Sequence, residues 1–338
     1  MATIKQIAEK CGVSVATVSK ALNGYPDIGA ETSRAVKAAA AALGYFPNAA
    51  ARALKTNKTN NFGVLFIDEG RSGLEHEYFS SLLESFKSQA EEFGYDITFI
   101  SHNLGGRPMS YLEHCRYRHC DGVMIACIDF EDEQVLELVR SEIPVITIDY
   151  VFNSCPAILS DNFKGMTDLT EYIIQNGHRR IAYIHGEYIA VSRKRIAAFH
   201  LTCQKHGIQV PEEYIKAARY HNAKDSQQAT HELLSLPVPP TCILYPDDVC
   251  YIGGMNEFER MGLKVPADIS AAGYDGAILS QIMRPRLTTL HQDSRAIGAA
   301  AAVRLVKVIE DPRMGFPDQT LMPGDLMEGQ TVRSLLET

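Results

Sequence analysis

The segment VSVATVSKALNG at positions 13–24 has the length of a short helix and carries residue types suited to the major groove of DNA. The ammonium of Lys20 can donate to the O6 and N7 atoms of guanine, and the small, partly apolar side chains of Val15, Ala16 and Thr17 can approach base edges and a thymine methyl. Short polar side chains that can reach phosphate oxygens are Thr17, Ser19 and Asn23. The segment therefore predicts a helix that reads DNA, with an ordinary packed helix as the alternative.

Three short helices would position this segment. Thr3 can cap the first helix, and Ser14 can cap the second, whose inward face carries Val18 and Leu22. A third helix spans about 31–43 and ends at a glycine. Helix, four-residue turn, helix is the arrangement of the helix-turn-helix DNA reader. A small three-helix domain without DNA binding remains the alternative.

Charge is divided unevenly along the chain. Residues 1–60 contain eight lysines and arginines against three acidic residues, a net charge of +5, whereas the whole chain carries −8. Residues 61–338 therefore carry −13. A small basic head on an acidic body predicts that only the head binds a polyanion.

The sequence offers little for catalysis, metal binding or membrane insertion. The motifs G-x-S-x-G, H-E-x-x-H and G-x-x-x-x-G-K-[ST] are absent, and the adjacent carboxylates Asp247 and Asp248 would point apart at a strand end. Eight scattered cysteines without a C-x-x-C pair predict reduced thiols rather than disulfides or a metal site, and no cofactor is expected. The apolar runs are too short to span a bilayer, and the N-terminus lacks a signal-peptide core. We expect a cytoplasmic protein that is not an enzyme.

From Phe62 onward, strands and helices alternate. Apolar runs of strand length, such as FGVLFID, DGVMIACI and PVITID, are separated by amphipathic segments, and a second series begins near Asp161. Repeated βα units predict parallel sheets whose ligand sites lie at the carboxyl ends of the strands. Two such series predict two lobes with a cleft between them.

The head resembles a known family. TIKQIAEKCGVSVATVSKALNG, followed by ETSRAVKAAAAALGYFPNAAARAL, is similar to the DNA-binding head of the LacI/GalR family of bacterial repressors, continuously from Thr3 to Leu54. Lys20 stands where the family has arginine, so the bidentate reading of guanine is weakened. Val15 and Ala16, at the family's main specificity positions, resemble the galactose-repressor subgroup. The DNA-contacting residues that the resemblance and the helix pattern imply are Thr3, Ser14, Val15, Ala16, Thr17, Ser19, Lys20, Asn23, Tyr45, Asn48, Ala51 and Leu54.

The resemblance also assigns a role to NAAARAL at positions 48–54. It implies a hinge helix that is ordered only on the operator, with one such helix from each subunit in the minor groove. Leu54 would be the apolar wedge that opens a central base step and kinks the duplex. Without the family, the same segment would be a short helix with Leu54 in a core. TNKTNN at 56–61 then reads as a polar linker.

The same resemblance covers the body, about 62–332, through DNFKG, NGHRRIAYIHG, SRKRIAAF and VPADISAAGYD, and it implies an effector domain in which sugars usually bind. Hydroxyl groups need fixed donors and acceptors, and a guanidinium can bridge two of them. Asp275 and Arg195 match the family's effector-binding aspartate and arginine, and Tyr220 matches an aromatic stacking position. The full set of predicted effector-binding residues is Tyr78, Phe79, Asp149, Arg195, Tyr220, Asp247, Asp275 and Gln292.

The body departs from the family's pattern at several of these positions. Asp247 stands where asparagine is usual, and His76-Glu77 replaces Asn-Pro before the aromatic pair. Ala198 stands where the family usually has a glycine after the arginine. The chain has no tryptophan, so aromatic stacking depends on tyrosine or phenylalanine. Glu75 and Glu77 are close enough in sequence to the aromatic pair to reach the cleft.

Together these observations predict a small all-α helix-turn-helix head plus a two-lobed α/β periplasmic-binding-protein-like effector domain. The predicted boundaries are a head over 1–46, a hinge helix and linker over 47–61, a first lobe over 62–160 and 291–320, and a second lobe over 161–290 and 321–332. We expect a homodimer that binds a pseudo-palindromic double-stranded operator, a repressor of carbohydrate-utilisation genes controlled by a sugar effector. The alternatives are a sugar-binding protein without specific DNA binding and a regulator whose ligand acts as a corepressor.

Overall fold

The computed structural model describes residues 2–46, 58–67 and 73–336. The chain divides into two compact units, Met1–Thr59 and Asn60–Thr338. Within the described part of the chain, no helix is both long enough and apolar enough to cross a membrane.

The described part of the first unit contains the helices α1 (Ile4–Cys11), α2 (Val15–Leu22) and α3 (Ala30–Ala42). Thr3 begins α1 with a capping box, in which its hydroxyl accepts from the backbone N–H of Gln6. Gly12 then adopts a φ of 66°, the left-handed conformation that the tight turn into α2 requires. The three helices enclose one apolar core: Ile7, Ala8, Val18, Ala21, Val36, Ala39 and Ala40.

The inward face of α2 differs from the prediction at one position. Val18 and Ala21, three residues apart and therefore on one face, are fully buried, whereas Leu22 is only half-buried. Leu22 is the last residue of α2, and it contacts the edge of the core rather than its centre. The small Ala21 lets α2 lie close to its neighbours.

The first lobe of the second unit is built on a parallel sheet. Its strands are β1 (Asn61–Phe66), β2 (Asp96–Phe99), β5 (Gly122–Ala126), β6 (Val145–Ile148), β7 (Ala157–Ser160) and β13 (Gln319–Met322), and a small hairpin, β3 (Asn103–Leu104) and β4 (Arg107–Pro108), lies apart from them. The strand order is β13-β7-β6-β5-β1-β2, with every pair parallel. The helices of this lobe are α4 (Glu77–Glu92), α5 (Tyr111–Tyr117), α6 (Glu133–Val139) and α12 (Ser294–Glu310).

Helices α4 and α12 cover the same side of this sheet and share one apolar cluster with it. They approach closely at Gly298, where an added Cβ would overlap the carbonyl oxygen of Leu82. The glycine thus permits the contact that holds the returning helix α12 on the first lobe. Helices α5 and α6 contribute to a second cluster, in which Leu65 and Val123 of the sheet also take part.

The second lobe repeats this architecture. Its strands are β8 (Ile181–His185), β9 (Ile215–Ala217), β10 (Cys242–Leu244), β11 (Ser270–Asp275), β12 (Thr288–Gln292) and β14 (Gly324–Met327), in the order β14-β12-β11-β10-β8-β9. Only β14 pairs antiparallel with its neighbour among these strands. Its helices are α7 (Asn162–Gln175), α8 (Ala190–Lys205), α9 (Ala223–Leu234), α10 (Asp248–Arg260) and α11 (Ile278–Ile282).

The chain passes between the two sheets three times: after Ser160, after Gln292 and after Met322. The boundaries predicted from the sequence lay after residues 160, 290 and 320. Strand β12 continues to Gln292 because it pairs with β11 and β14, so residues 291–292 belong to the second lobe. Strand β13 continues to Met322 because it pairs with β7, so residues 321–322 belong to the first lobe.

Candidate functional site

The outward face of α2 carries the residues predicted to read bases. Val15 is 49% exposed, and Ala16 and Lys20 are also exposed, while Val18 beneath them is completely buried. Thr17 and Ser19 are half-buried along the sides of the helix. The two turns of α2 thus present one face that is fixed in the core and one face that is available to a partner.

Several predicted DNA contacts also serve as helix caps. The Ser14 hydroxyl accepts from the backbone N–H of Thr17 at 3.0 Å, and the two hydroxyls lie 2.9 Å apart. At the other end of α2, the Asn23 amide donates to the carbonyl oxygen of Ser19 at 2.7 Å. Thr3 caps α1. These side chains are exposed or half-buried, so capping fixes their positions without removing them from the surface.

Lys20 is already engaged in an ion pair. Its ammonium donates to the carboxylate of Asp27, in the loop between α2 and α3. This hydrogen bond raises the pKa of Lys20 above its usual value. Asp27 therefore competes directly with any DNA group for the ammonium, a relationship that the sequence pattern did not suggest.

The remaining predicted DNA contacts lie near the end of the head. Tyr45 is half-buried against the head core, and its backbone N–H donates to Ala40 at 2.9 Å, while Phe46 after it is 87% exposed. The predicted hinge-helix contacts lie outside the described residues: Asn48, Ala51 and Leu54.

On the first lobe, the predicted effector residues form a hydrogen-bonded group at the carboxyl ends of β6 and β7. The Tyr78 hydroxyl donates to Oδ2 of Asp149 at 2.9 Å, and the backbone N–H of Ser160 donates to Oδ1 at 2.7 Å. Burial raises the pKa of Asp149 and raises that of Tyr78 well above its usual value. Phe79 is half-buried and presents its ring 4.7 Å from that of His76.

Arg195 is the central cation of the second lobe's side of the cleft. Its Nε donates to Oδ1 of Asn162 at 2.7 Å, and its Nη1 donates to the carbonyl oxygen of Pro246 at 3.0 Å. The guanidinium lies 3.6 Å from the ring centroid of Tyr274, a cation–π contact. Burial alone would lower the pKa of Arg195, but Tyr274, Tyr220 and Asp275 around it raise the pKa above its usual value. Arg195 is therefore a fixed, charged group.

Tyr220 and Asp247 lie on neighbouring loops of the second lobe. The Tyr220 hydroxyl is 2.8 Å from that of Ser192, and its ring occupies the space that a Cβ at Gly186 would need. Both oxygens of Asp247 accept from backbone N–H groups, Oδ1 from Cys250 at 2.7 Å and Oδ2 from His221 at 2.9 Å. Asp247 is fully buried and caps α10, so it fixes the loop that carries His221 to the start of this helix.

The neighbouring carboxylate, Asp248, has separate partners. It accepts from the hydroxyl of Thr289 at 2.6 Å and from the backbone N–H of Ala277 at 2.7 Å. Asp247 and Asp248 thus point apart, as the sequence predicted, and they do not form an acid–base pair. Burial raises the pKa of Asp248 well above its usual value.

Asp275 and Gln292 end two neighbouring strands of the second lobe. The Gln292 amide donates to Oδ1 of Asp275 at 2.6 Å. Asp275 has a φ of 97°, and Asp149 and His221 also adopt positive φ values, of 56° and 54°. Non-glycine residues in this conformation concentrate at functional sites, because the surrounding structure must hold them there. Their occurrence at one cleft marks it as the candidate effector site.

Among the described residues, the contacts that bridge the lobes include two that the sequence pattern did not identify. The Glu77 carboxylate, at the start of α4, accepts from the backbone N–H of Ile278 at 3.0 and 3.1 Å. The imidazole rings of His76 and His221 lie 3.5 Å apart at an interplanar angle of 54°. His76-Glu77 was visible only as a departure from the family pattern, and Ile278 acts through its backbone, which leaves no signal in sequence.

A cavity of about 670 Å³ elsewhere on the second lobe has different chemistry. Its most buried carboxylate, Glu257, accepts from Arg260 and lies 2.9 Å from Nδ1 of His231. The Arg260 hydrogen bond is the main reason why the pKa of Glu257 falls to about 2. The Arg260 guanidinium already neutralises this carboxylate, whereas the partners of Asp149 and Asp275 in the interlobe cleft are neutral, so the cleft is the better candidate for a ligand.

The chain matches two family models. Residues 3–48 match "Bacterial regulatory proteins, lacI family", and residues 170–332 match "Periplasmic binding protein-like domain". The HTH-type transcriptional repressor PurR of Pectobacterium carotovorum subsp. carotovorum (strain PC1) is 31% identical over 320 residues, which cover 93% of this chain and 92% of that protein. PurR of Klebsiella pneumoniae (strain 342) is 32% identical over 322 residues, with coverages of 93% and 92%.

The chain belongs to the lacI family. This family assignment confirms the resemblance seen in the head and body, and it makes the protein a DNA-binding transcriptional repressor. A solved lac repressor dimer, bound to operator and the anti-inducer ONPF, matches this lacI-family chain with a TM-score of 0.83 and 26% identity, over 98% of this chain and 99% of that one. The regulator CelR in its cellobiose complex shares the fold, with a TM-score of 0.70 and 21% identity over 98% and 100%.

Proposed function

We propose that this lacI-family repressor is controlled by a sugar that binds between the two lobes of its second unit. The observation that carries the proposal is the set of fixed polar groups at strand ends on both sides of one cleft. Asp149 and Tyr78 lie on one lobe, and Arg195, Asp275 and Gln292 lie on the other. Ligands of open α/β sheets bind at such strand ends.

The groups in the cleft are suited to a hydroxyl-rich ligand. Carboxylates accept from hydroxyls, the N–H groups of Arg195 that do not bind Asn162 or Pro246 can donate to ligand oxygens, and the Tyr220 ring supplies an apolar face. The Tyr183 hydroxyl is buried and makes no hydrogen bond within the described residues, and burial raises its pKa well above the usual value. An oxygen of a bound sugar would give this hydroxyl a partner and so remove the penalty of an unpaired buried group.

The effector would act by changing the balance between two arrangements of the lobes. The Glu77–Ile278 hydrogen bonds and the His76–His221 contact join the two lobes. A ligand that binds residues of both lobes would either replace these contacts or strengthen the same arrangement. A difference in affinity of a few kcal/mol between the two arrangements is enough for a substantial population shift. That shift would be passed to the DNA-binding head through the segment that precedes Phe62.

On the DNA side, we propose a homodimer that places two α2 helices in successive major grooves of a pseudo-palindrome. Val15, Ala16 and Lys20 would contact base edges, and Leu54 of each subunit would enter the minor groove. The lac repressor structure that matches this chain is a dimer bound to operator, which supports this arrangement.

A thermal-shift screen of mono- and oligosaccharides would identify the effector, because a ligand of the native state raises the melting temperature. The Asp275→Ala variant should lose that shift and retain operator binding, since Asp275 lies in the second unit. An unchanged effector affinity in this variant would refute the role assigned to Asp275. If no sugar shifts the melting temperature, the sugar proposal fails.

The alternative is a sugar-binding protein whose head does not select a DNA sequence, an idea prompted by Lys20 in place of the family arginine. A gel-shift panel of pseudo-palindromes at several salt concentrations separates the two, because non-specific binding shows the same salt dependence for every sequence. Adding effector to a bound complex then shows whether the sugar releases DNA or strengthens its binding.

A further inference from the structure

We propose that the interlobe cleft contains a first-row transition-metal site, of the class that takes zinc, formed by His76, His221 and Asp275. Each of these residues offers one ligand atom, and the three atoms lie within 4.8 Å of one another. His76 precedes α4 of the first lobe, whereas His221 and Asp275 belong to the second. A metal ion at this position would therefore join the two lobes.

The donor set fits zinc and its neighbours. Two imidazoles and one carboxylate suit zinc, nickel, cobalt and iron(II), whereas magnesium and calcium prefer oxygen ligands only. Three protein ligands leave at least one position open for water or for an oxygen of a bound ligand. The site would thus have an open coordination position, at which the metal ion can bind water or an effector oxygen directly.

His221 supplies an independent observation for this assignment. Its Nε2 is buried and has no hydrogen-bond partner within the described residues. A buried nitrogen without a partner is unfavourable, and coordination of a metal ion would remove this penalty. The residue also has a φ of 54°, and its backbone N–H donates to Asp247 at 2.9 Å, so the loop is held in a strained conformation that keeps the imidazole in the cleft.

Asp275 has the support that metal-binding carboxylates usually have. Its Oδ1 accepts from the Gln292 amide at 2.6 Å, and its φ of 97° fixes the backbone. Hydrogen bonds of this kind orient the metal-binding side chain and are found in most metal sites. Gln292 would act as a positioning residue that fixes the direction of the carboxylate.

Metal binding would draw the lobes together. Zinc–nitrogen bonds of about 2.0 to 2.1 Å in tetrahedral geometry place neighbouring donor atoms about 3.3 Å apart. The three ligand atoms are within 4.8 Å, so a modest contraction completes the site. Because His76 is on the opposite lobe from the other two ligands, this contraction acts across the cleft and favours the closed arrangement.

The test uses the full chain, stripped with EDTA and dialysed, without effector or DNA. Zinc binding is measured by calorimetry, and cobalt binding by its visible absorption, for the wild type and for H76A, H221A and D275N. H200A is the matched control, because His200 is an exposed histidine on α8. We expect one metal ion per chain, at least tenfold weaker binding in each ligand variant, and affinity within about twofold of the wild type in H200A.

The melting temperature of each variant in EDTA shows whether it is folded. H76A removes the metal ligand of the first lobe and leaves the second lobe unchanged. Its metal affinity therefore tests the proposal even if H221A or D275N fails to fold. Absence of stoichiometric binding by the wild type, or equal affinity in wild type, H76A and H221A, would overturn the proposal. Effector binding is measured separately in EDTA, so failure of the metal site and failure of the sugar proposal give different results.

Discussion

Lys20 on the exposed face of α2 forms an ion pair with Asp27, which follows the helix in the next loop. The pair holds in place the one cation that the recognition helix presents among its described residues. DNA must displace the carboxylate or share the ammonium with it. We therefore expect Asp27 to weaken DNA binding in two ways, by occupying Lys20 and by adding a negative charge close to the phosphates.

The variant Asp27→Asn should bind DNA about fivefold more tightly at low salt, because Lys20 is released and one repelling charge is removed. The measurement is the anisotropy of a labelled duplex titrated with protein. Glu9→Gln on α1 is the control, since it removes the same charge from an exposed position of the head without touching Lys20. Equal effects of the two variants would show that only the net charge matters.

Lys20→Arg tests what Lys20 contacts. If Lys20 reads guanine, the arginine fork should change the preferred base at one position of each half-site, because it can form two hydrogen bonds where the lysine forms one. Selection of binding sites from a random library by both variants measures this. Identical preferences would place Lys20 on the phosphates, in which case Lys20→Ala should lower the salt slope of log affinity by about 0.9.

Arg195→Lys should weaken effector binding at least tenfold while leaving operator affinity unchanged. The guanidinium donates to Asn162 and Pro246 and lies 3.6 Å from the Tyr274 ring centroid, and an ammonium cannot form all of these contacts at once. The measurement is the rise in melting temperature that the effector causes in this variant, compared with the rise in the wild type. A full effector response in this variant would remove Arg195 from the site.

Tyr78→Phe should lower the free energy of unfolding by about 1 to 3 kcal/mol, because it removes the hydroxyl that donates to Asp149 and leaves Oδ2 of this desolvated carboxylate without that donor. Urea denaturation of the second unit's transition measures the change. Tyr117→Phe, at a position of the first lobe that is 59% exposed, should change stability little. Equal stability of Tyr78→Phe and wild type would mean that water replaces the hydroxyl.

The interlobe hydrogen bonds of Glu77 predict a change in lobe closure. Glu77→Ala should favour the open arrangement, because it removes the acceptor of the Ile278 backbone N–H. The chain has no tryptophan, so Ile278→Trp, at a side chain that is 67% exposed, gives a single reporter that keeps the backbone donor. In that background Glu77→Ala should change the emission maximum, whereas Glu84→Ala on an exposed position of α4 should not.

His178 predicts a specific loss of stability in acid. Burial lowers its pKa to about 4 from an ordinary value of 6.5, so the unfolded chain takes up a proton at a pH where the native protein does not. Its contribution is fully present above pH 6.5 and falls as the pH approaches 4, by about 2 kcal/mol at pH 5. Urea denaturation at several pH values should show this loss in the wild type and not in His178→Gln; parallel pH profiles would contradict the assignment.

The elements that local patterns define could be predicted from the sequence. The helices of the head follow from the capping residues Thr3 and Ser14 and from apolar spacing, and the alternating strands and helices of the body follow from short apolar runs. Strand β7 was not predicted, because four residues are too few to show a clear periodicity, although the turn residues Asn153, Ser154 and Pro156 precede it. The exact crossings at Gln292 and Met322 depend on strand pairing, which is not local.

The sequence indicated residue types for a candidate site, but it could not show how their side chains pair. Arg195, Asp149 and Asp275 each belong to a hydrogen-bonded group, and their contact with an effector stays a prediction. Asp247 was predicted as an effector ligand, yet both of its oxygens are used by the backbone of the loop and of α10. The contact of His76 with His221 joins residues far apart in sequence, so no spacing pattern could reveal it.

The most direct test of the account compares operator affinity with and without the sugar that raises the melting temperature, in the wild type and in Asp275→Ala. The operator is the pseudo-palindrome that the wild type selects from a random library. We predict that the sugar changes the wild-type affinity at least tenfold and the Asp275→Ala affinity less than about twofold. An unchanged wild-type affinity, or the same change in both proteins, would contradict control of this repressor through the interlobe cleft.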